Sequence, residues 1–264
     1  MKTLVVIPVY NEVEFIGGVL KELRGYAEDI LVVDDGSVDG TGRILDQIRG
    51  VTLLRHESNL GYGQSLIDAF DYAVGEGYNA VVTMDADGQH EPYYIPRFLA
   101  ELGTADIVSG SRYLENRGGM AGPPPERRTV NRLITRELAE QFGLSLTDAF
   151  CGFKAYRTEA LGRMRLTEAG YAMPLELWVQ AAALGLRIRE VAVPLIYYPC
   201  VERSFGAALD KPEARLRYYR EVISRARARL DAHIAVRTWC PEHEELCSCC
   251  GACGRSCACF LDGE

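Results

Sequence analysis

Two aspartates separated by one small residue, Asp85-Ala86-Asp87, stand where an apolar run of this 264-residue chain ends and the backbone must turn into solvent. Carboxylates so close repel unless a positive charge lies between them. A hard divalent cation meets that need, and Mg²⁺ usually takes one or two carboxylates while sharing its shell with water and substrate phosphates. The pair therefore points to a diphosphate-bearing substrate, against the competing explanation of a turn whose aspartates cap the next helix. A second acidic pair, Asp34-Asp35, follows another apolar run, and Pro8, Tyr10, Asn11 and Glu12 follow a third. Capping would have to recur independently after each run, so one metal and nucleotide site is the simpler account.

The apolar runs at 3–9, 30–33, 51–54, 80–84 and 106–109 have strand length, and helix-like segments at 12–24, 40–47, 63–75 and 93–102 lie between them. This alternation predicts βα units: an α/β fold with a Rossmann-like, mostly parallel sheet and helices on both faces. Ligands of such sheets bind in the crevice beyond the carboxyl ends of the strands. The polar and acidic residues named above follow strand-like runs, which puts them at that edge. Segment 115–126, ENRGGMAGPPPE, is rich in Gly and Pro and reads as a loop. A helix at 127–142, a strand at 153–156, a helix at 174–184 and a strand at 188–193 complete the pattern, without internal repeats.

In chain order, IPVYNE (7–12), VVDDGSVDGT (32–41), NLGYGQS (59–65), MDADGQH (84–90), GSRY (110–113) and DAFCGFKAYR (148–157) resemble the motifs of family 2 glycosyltransferases of the GT-A fold. Within that family they look most like the dolichyl- or polyprenyl-phosphate sugar synthase branch. The resemblance covers residues 1–230 and implies a transferase domain of that extent, followed by a cysteine-rich tail at 231–264. It implies that Pro8, Tyr10, Glu12, Asp35, Asp85, Ala86 and Asp87 hold a nucleotide-sugar donor, and that Asp87 and Gln89 hold Mg²⁺ or Mn²⁺. It implies further that Arg112, with Arg127 or Arg128, meets an acceptor phosphate, and that Arg203 lies on a loop closing over the donor. Members of the branch often carry a lysine soon after the arginine matched by Arg203, whereas RSFGAALDK delays it here to Lys211.

Loss of a nucleoside diphosphate builds negative charge that a metal held by Asp87 and Gln89, with Arg203, would neutralise. Asp87, Arg112 and Arg203 are accordingly the expected catalytic residues. A hydroxyl acceptor would need a carboxylate base, for which Glu176 and Asp148 are candidates. A phosphate monoester, with a second pKa of about 6, is largely ionised at neutral pH and needs only cationic positioning. The expected reaction is an inverting transfer from a GDP- or UDP-linked sugar to a polyprenyl or dolichyl phosphate at a membrane surface. Two other readings compete: transfer to a soluble hydroxyl acceptor, and a metal-binding interaction protein whose transferase domain is inactive. A nucleotidyltransferase should carry a basic glycine-rich loop where this chain has PVYNE. Phe150 and Phe153 read as core aromatics, and Arg112 has the alternative of a surface salt bridge.

A net charge of −8 disfavours a surface built for nucleic acid but allows local basic patches. The N-terminal run breaks at Pro8 and Asn11, short of a signal-peptide core or a membrane span, and points to a cytoplasmic protein. At 213–230, Leu216, Tyr219, Ile223, Ala226 and Leu230 form one helical stripe flanked by Arg215, Arg217, Arg220, Arg225, Arg227 and Arg229. Such a helix rests peripherally on an anionic membrane surface, or it is the solvated outer layer of a domain. Of the nine cysteines only Cys151 and Cys200 precede residue 240, so disulfides do not hold the main fold. Cys240, His243, Cys247, Cys249, Cys250, Cys253, Cys257 and Cys259 have spacings suited to Zn²⁺ or an iron–sulfur cluster, the alternative being a tail of reactive thiols.

Overall fold

The computed structural model describes residues 1–115, 125–196 and 209–239. Within them one sheet contains β1 (Thr3–Val9), β2 (Asp29–Asp34), β3 (Thr52–Arg55), β4 (Ala80–Thr83), β5 (Ile107–Ser111), β6 (Lys154–Arg157) and β7 (Ile188–Ala192). Their spatial order is β3-β2-β1-β4-β6-β5-β7. Neighbouring strands run parallel except at β6, which is antiparallel to both β4 and β5. The mostly parallel sheet is therefore present with one reversed strand. That reversal brings the start of β6, and the segment 148–153 before it, to the edge where β4 and β5 end.

The helices are α1 (Ile16–Leu23), α2 (Thr41–Gln47), α3 (Tyr62–Gly75), α4 (Ile95–Glu101), α5 (Pro125–Phe142), α6 (Thr158–Gly162), α7 (Met173–Ala183) and α8 (Pro212–Trp239). Val5, Ile7 and Val9 of β1 pack into one core with Val19 and Leu20 of α1 and Ile95 and Phe98 of α4. Leu4 and Val6, one residue out of phase, are equally buried, and α3 packs on β1, β2 and β4. A strand covered on both faces must be apolar throughout, which is why its sequence shows a run rather than an alternation.

Several boundaries differ from expectation for local reasons. The helix expected at 12–24 begins only at Ile16, because Asn11 takes a left-handed conformation (φ 55°) and the chain turns there. Asparagine tolerates that conformation better than most residues. α5 begins at Pro125, inside the expected loop, since proline is well suited to a first helical turn. The expected helix at 93–102 divides into a 3-10 turn, Pro92–Tyr94, and α4.

Met1–Ala226 form one compact unit, and a second begins at Arg227. Within the first unit, α8 buries Arg215, Tyr219, Val222, Ile223 and Ala226. Arg220 and Arg225 pair with Glu137 and Glu168 at 2.6 and 2.8 Å. Up to Ala226, then, the apolar stripe packs on the domain instead of facing a membrane, and Arg215 belongs to the buried stripe rather than to the basic flank. No helix among the described residues is long and apolar enough to cross a membrane.

Candidate active site

A cleft of about 330 Å³ opens beyond the carboxyl ends of β1, β2, β4 and β5. Pro8, Tyr10 and Glu12 reach it from β1, Asp35 from β2, and Asp85, Ala86, Asp87 and Gln89 from β4. The structure thus brings these eight expected donor and metal positions to one place. Asp34 is the exception in its motif: it accepts the Ser37 N–H at 3.1 Å and faces Arg55 at 3.6 Å. Asp35 meets His56 Nδ1 at 2.7 Å and accepts the N–H groups of Leu60 and Gly61 at 2.8 and 2.9 Å. It therefore braces the start of α3 as well as lining the cleft.

Asp85 owes its position to a residue without a side chain. A Cβ at Gly152 would fall 2.4 Å from both Asp85 oxygens, so only glycine leaves room for the carboxylate. Tyr62 donates its hydroxyl to Asp85 Oδ1 at 3.2 Å, and burial and Asp85 push the phenol well above its usual range, keeping it a donor. The Asp85 N–H points at His90 Nδ1 at 3.1 Å, and His90 Nε2 lies 3.8 Å from Asp85 Oδ2. Asp87 accepts the Gln89 N–H at 3.0 Å, so it caps its turn and also lines the cleft. Asp85, Asp87 and Gln89 offer oxygen donors, the set that hard divalent ions take. Among the described residues no three His, Cys, Asp or Glu side chains are grouped to hold an ion. A cation at Asp87 would share its shell with substrate phosphates, which fits the habit of Mg²⁺.

The far end of the cleft is basic. Arg112, following β5, donates Nε to Asp148 Oδ2 at 2.7 Å and Nη2 to Oδ1 at 2.9 Å. Asp148 is fully buried; burial opposes its charge, yet Arg112 holds it below the usual carboxylate range. The surface salt bridge considered for Arg112 is instead a two-pronged pair between a partly exposed guanidinium and a fully buried carboxylate. Asp148 is accordingly a partner of Arg112 and not a base. Glu176 is corrected as well: its carboxylate accepts Thr167 N and Glu168 N at 2.7 Å and Thr167 Oγ1 at 3.0 Å, away from the cleft lining. Arg127 lines the cleft while Arg128 is exposed outside it, because successive helical residues point about 100° apart.

Residues 4–165 match the family described as Glycosyl transferase family 2, more than half of the chain. The chain belongs to this family. The transferase is 36% identical over 215 residues to an undecaprenyl-phosphate mannosyltransferase of Micrococcus luteus, covering 78% of this chain and 86% of that protein. It is 33% identical over 219 residues to a polyprenol monophosphomannose synthase of Mycolicibacterium smegmatis, covering 78% and 80%. Its fold is similar to that of glucosyl-3-phosphoglycerate synthase from Mycobacterium tuberculosis in complex with Mn²⁺, uridine-diphosphate and phosphoglyceric acid, with a TM-score of 0.64. That match covers 85% of this chain and 78% of the other at 20% identity, so it speaks for the fold alone.

Sequence reasoning passed over several residues of the transferase's cleft. Tyr62, which donates to Asp85, and Tyr171, stacked on it at 5.9 Å, line the cleft, as do Asn131, Phe150, Arg215 and Tyr219. Phe150, expected in the core, stacks on Tyr219 at 4.8 Å, while Phe153 is in the core as expected. The spacing of Arg215 and Tyr219, one helical turn, was the available signal. The segment carrying Asp148 and Gly152 is pinned from four directions. Asn131 holds Thr147 and Ala149, Thr83 donates to Gly152 O at 2.7 Å, Trp178 donates to Ala149 O at 3.0 Å, and the buried Lys154 ammonium donates to Cys151 O. Arg203 and all eight Cys and His positions of the tail lie outside the described residues.

Proposed function

We propose that this transferase moves a hexose from a nucleoside diphosphate donor to a polyprenyl phosphate, with a divalent cation held at Asp87 and Gln89. The observation that carries the acceptor class is the commitment of both candidate bases, Asp148 to Arg112 and Glu176 to the backbone at 167–168. A hydroxyl nucleophile would find neither available for its proton. A phosphate monoester needs no such group at neutral pH, its second pKa being about 6. In support, the relatives at 36% and 33% identity are named for undecaprenyl phosphate and polyprenol monophosphomannose, and the structural neighbour was seen with Mn²⁺ and a uridine diphosphate.

On the donor side, Pro8, Tyr10, Glu12 and Asp35 receive the nucleoside, and Asp85 positions the sugar diphosphate without taking a proton. Mg²⁺ or Mn²⁺ bound there would neutralise charge on the departing diphosphate. On the acceptor side, Arg112 presents Nη1 to the phosphate, since Asp148 engages Nε and Nη2. A phosphate oxygen attacks the anomeric carbon while the bond to the donor diphosphate breaks, its electron pair leaving on the nucleoside diphosphate. No proton changes hands, and one displacement inverts the anomeric configuration. An acceptor of this kind is met at a membrane surface, where the transferase works peripherally.

The test is incubation with radiolabelled GDP- and UDP-sugars, polyprenyl phosphate and Mn²⁺ or Mg²⁺, followed by organic extraction. We expect label in the organic phase from one nucleotide class and its loss in EDTA. Label confined to water-soluble glycosides, or undiminished transfer in EDTA, would overturn the proposal.

A further inference from the structure

His56 follows β3 between two of the sequence motifs and belongs to neither, yet its side chain is only 7% exposed. Its Nδ1 stands 2.7 Å from Asp35 Oδ1 and its Nε2 stands 3.0 Å from Asp68 Oδ2. An ionised carboxylate accepts hydrogen bonds and cannot donate one, so each ring nitrogen that meets one carries a proton. The ring is then an imidazolium clasped between two anions. Asp35 belongs to the cleft lining, whereas His56 and Asp68 lie behind it.

The backbone that follows His56 ties Asp35 down further. Asp35 Oδ1 also accepts the Leu60 N–H at 2.8 Å, and Oδ2 accepts the Gly61 N–H at 2.9 Å. With the bond from His56, these use three of the roughly four acceptor positions of a carboxylate. The fourth lies on Oδ2 and is the one left for a donor group in the cleft. The His56 N–H is itself donated to the Asp34 carbonyl at 3.0 Å. A Cβ at Gly36 would fall 2.5 Å from the Ser58 carbonyl carbon, so the turn after β2 and the segment after β3 are in direct contact. On the other side of the ring, Asp68 belongs to α3 and takes the Gln64 side-chain amide at 2.9 Å. The imidazole is thus a strut between the end of β2 and the first turns of α3.

We infer that His56 is a positioning residue of the donor site. It orients the Asp35 carboxylate so that the remaining Oδ2 position serves the cleft, and its charge keeps that carboxylate ionised and able to accept an N–H from the nucleotide base. Without the ring, Asp35 and Asp68 would be two carboxylates facing one gap, and Asp35 would be free to turn or to take up a proton. The inference rests on the nucleoside reading of Asp35 given above.

Calorimetric titration of GDP and UDP, each with Mn²⁺, into the wild type and the His56→Gln and His56→Asn variants provides the test, with pyrophosphate and Mn²⁺ probing the diphosphate end alone. The amide nitrogen of glutamine stands near the place of Nε2 and serves Asp68, whereas that of asparagine stands near the place of Nδ1 and serves Asp35. At least one of the two nucleotides should bind the wild type. His56→Gln should weaken that binding about ten- to hundredfold, as loss of a hydrogen bond to a charged group does, with pyrophosphate binding kept within about twofold. His56→Asn should recover most of the loss. Nucleotide affinity unchanged in His56→Gln overturns the inference, and so does an Asn variant as weak as the Gln variant, because packing rather than the bond to Asp35 would then be at stake. Nitrogen NMR of the wild-type ring at neutral pH is a check that needs no variant to fold: two protonated ring nitrogens are expected, and a neutral tautomer contradicts the charged strut. Binding of neither nucleotide to the wild type would refute the nucleoside reading itself, an outcome distinct from nucleotide binding that ignores His56.

Discussion

Asp85 and Gly152 lie 67 positions apart in the chain, yet the place of one depends on the absence of a side chain at the other. A methyl group at 152 would drive the carboxylate away from the cleft, and a misplacement of about 1 Å in an active site costs on the order of a hundredfold in rate. Gly152→Ala should therefore lower kcat by about that factor while the protein stays folded; kinetics beside a thermal melt check it, and an unaltered kcat would mean that Asp85 moves freely. Glu176→Gln is expected to do little to catalysis, because an amide can still accept the Thr167 and Glu168 N–H groups. A collapse of kcat with a changed pH–rate profile would restore Glu176 as a base. Asp148 makes a third case. Arg112 holds its folded pKa below the usual carboxylate range, so its pairing stabilises fully above the unfolded pKa and is lost as pH falls through the folded one. Calorimetry should show the wild type losing this increment on acidification, whereas Asp148→Asn, already less stable at neutral pH, has none to lose. Equal acid slopes for the two proteins would contradict the assignment.

At the scale of elements, what was legible depended on length and on burial. The strands that became β1, β2 and β4 announced themselves because both faces are covered and their sequences are continuous apolar runs. The reversal of β6 was not legible: a four-residue strand carries no mark of its direction, and its pairing with β4 and β5 is a tertiary fact. α6, five residues long, is too short for a helical period to show. The amphipathic character of α8 was plain, but its arginines could be sorted only by what they touch, one entering the cleft and two pairing across the domain surface. Exposed pairs of that kind contribute at most about 1 kcal/mol each, whereas truncating a buried isoleucine costs about 2–5 kcal/mol. Urea denaturation should accordingly find Ile223→Ala far more damaging than Arg220→Gln or Arg225→Gln. The reverse order would mean that charge, and not packing, docks the helix.

Over the whole molecule a net charge of −8 conceals a cleft with an acidic end and a basic end. The acidic end was readable in motifs because its residues follow successive strands directly. The basic end was only half readable, since Arg112 sits in a motif while Arg215 is more than a hundred residues away on a helix that composition alone could equally have assigned to a membrane. On the reaction proposed above, the donor with its cation takes the acidic end of the site and the acceptor phosphate takes the arginines. The most direct test of that account is the rate at which label from a nucleotide-sugar enters the polyprenyl-phosphate fraction with Mn²⁺, compared between the wild type and Asp87→Ala. The account predicts transfer by the wild type and a loss of at least about a hundredfold in the variant, with its melting temperature preserved. Substantial transfer without the Asp87 carboxylate would contradict it.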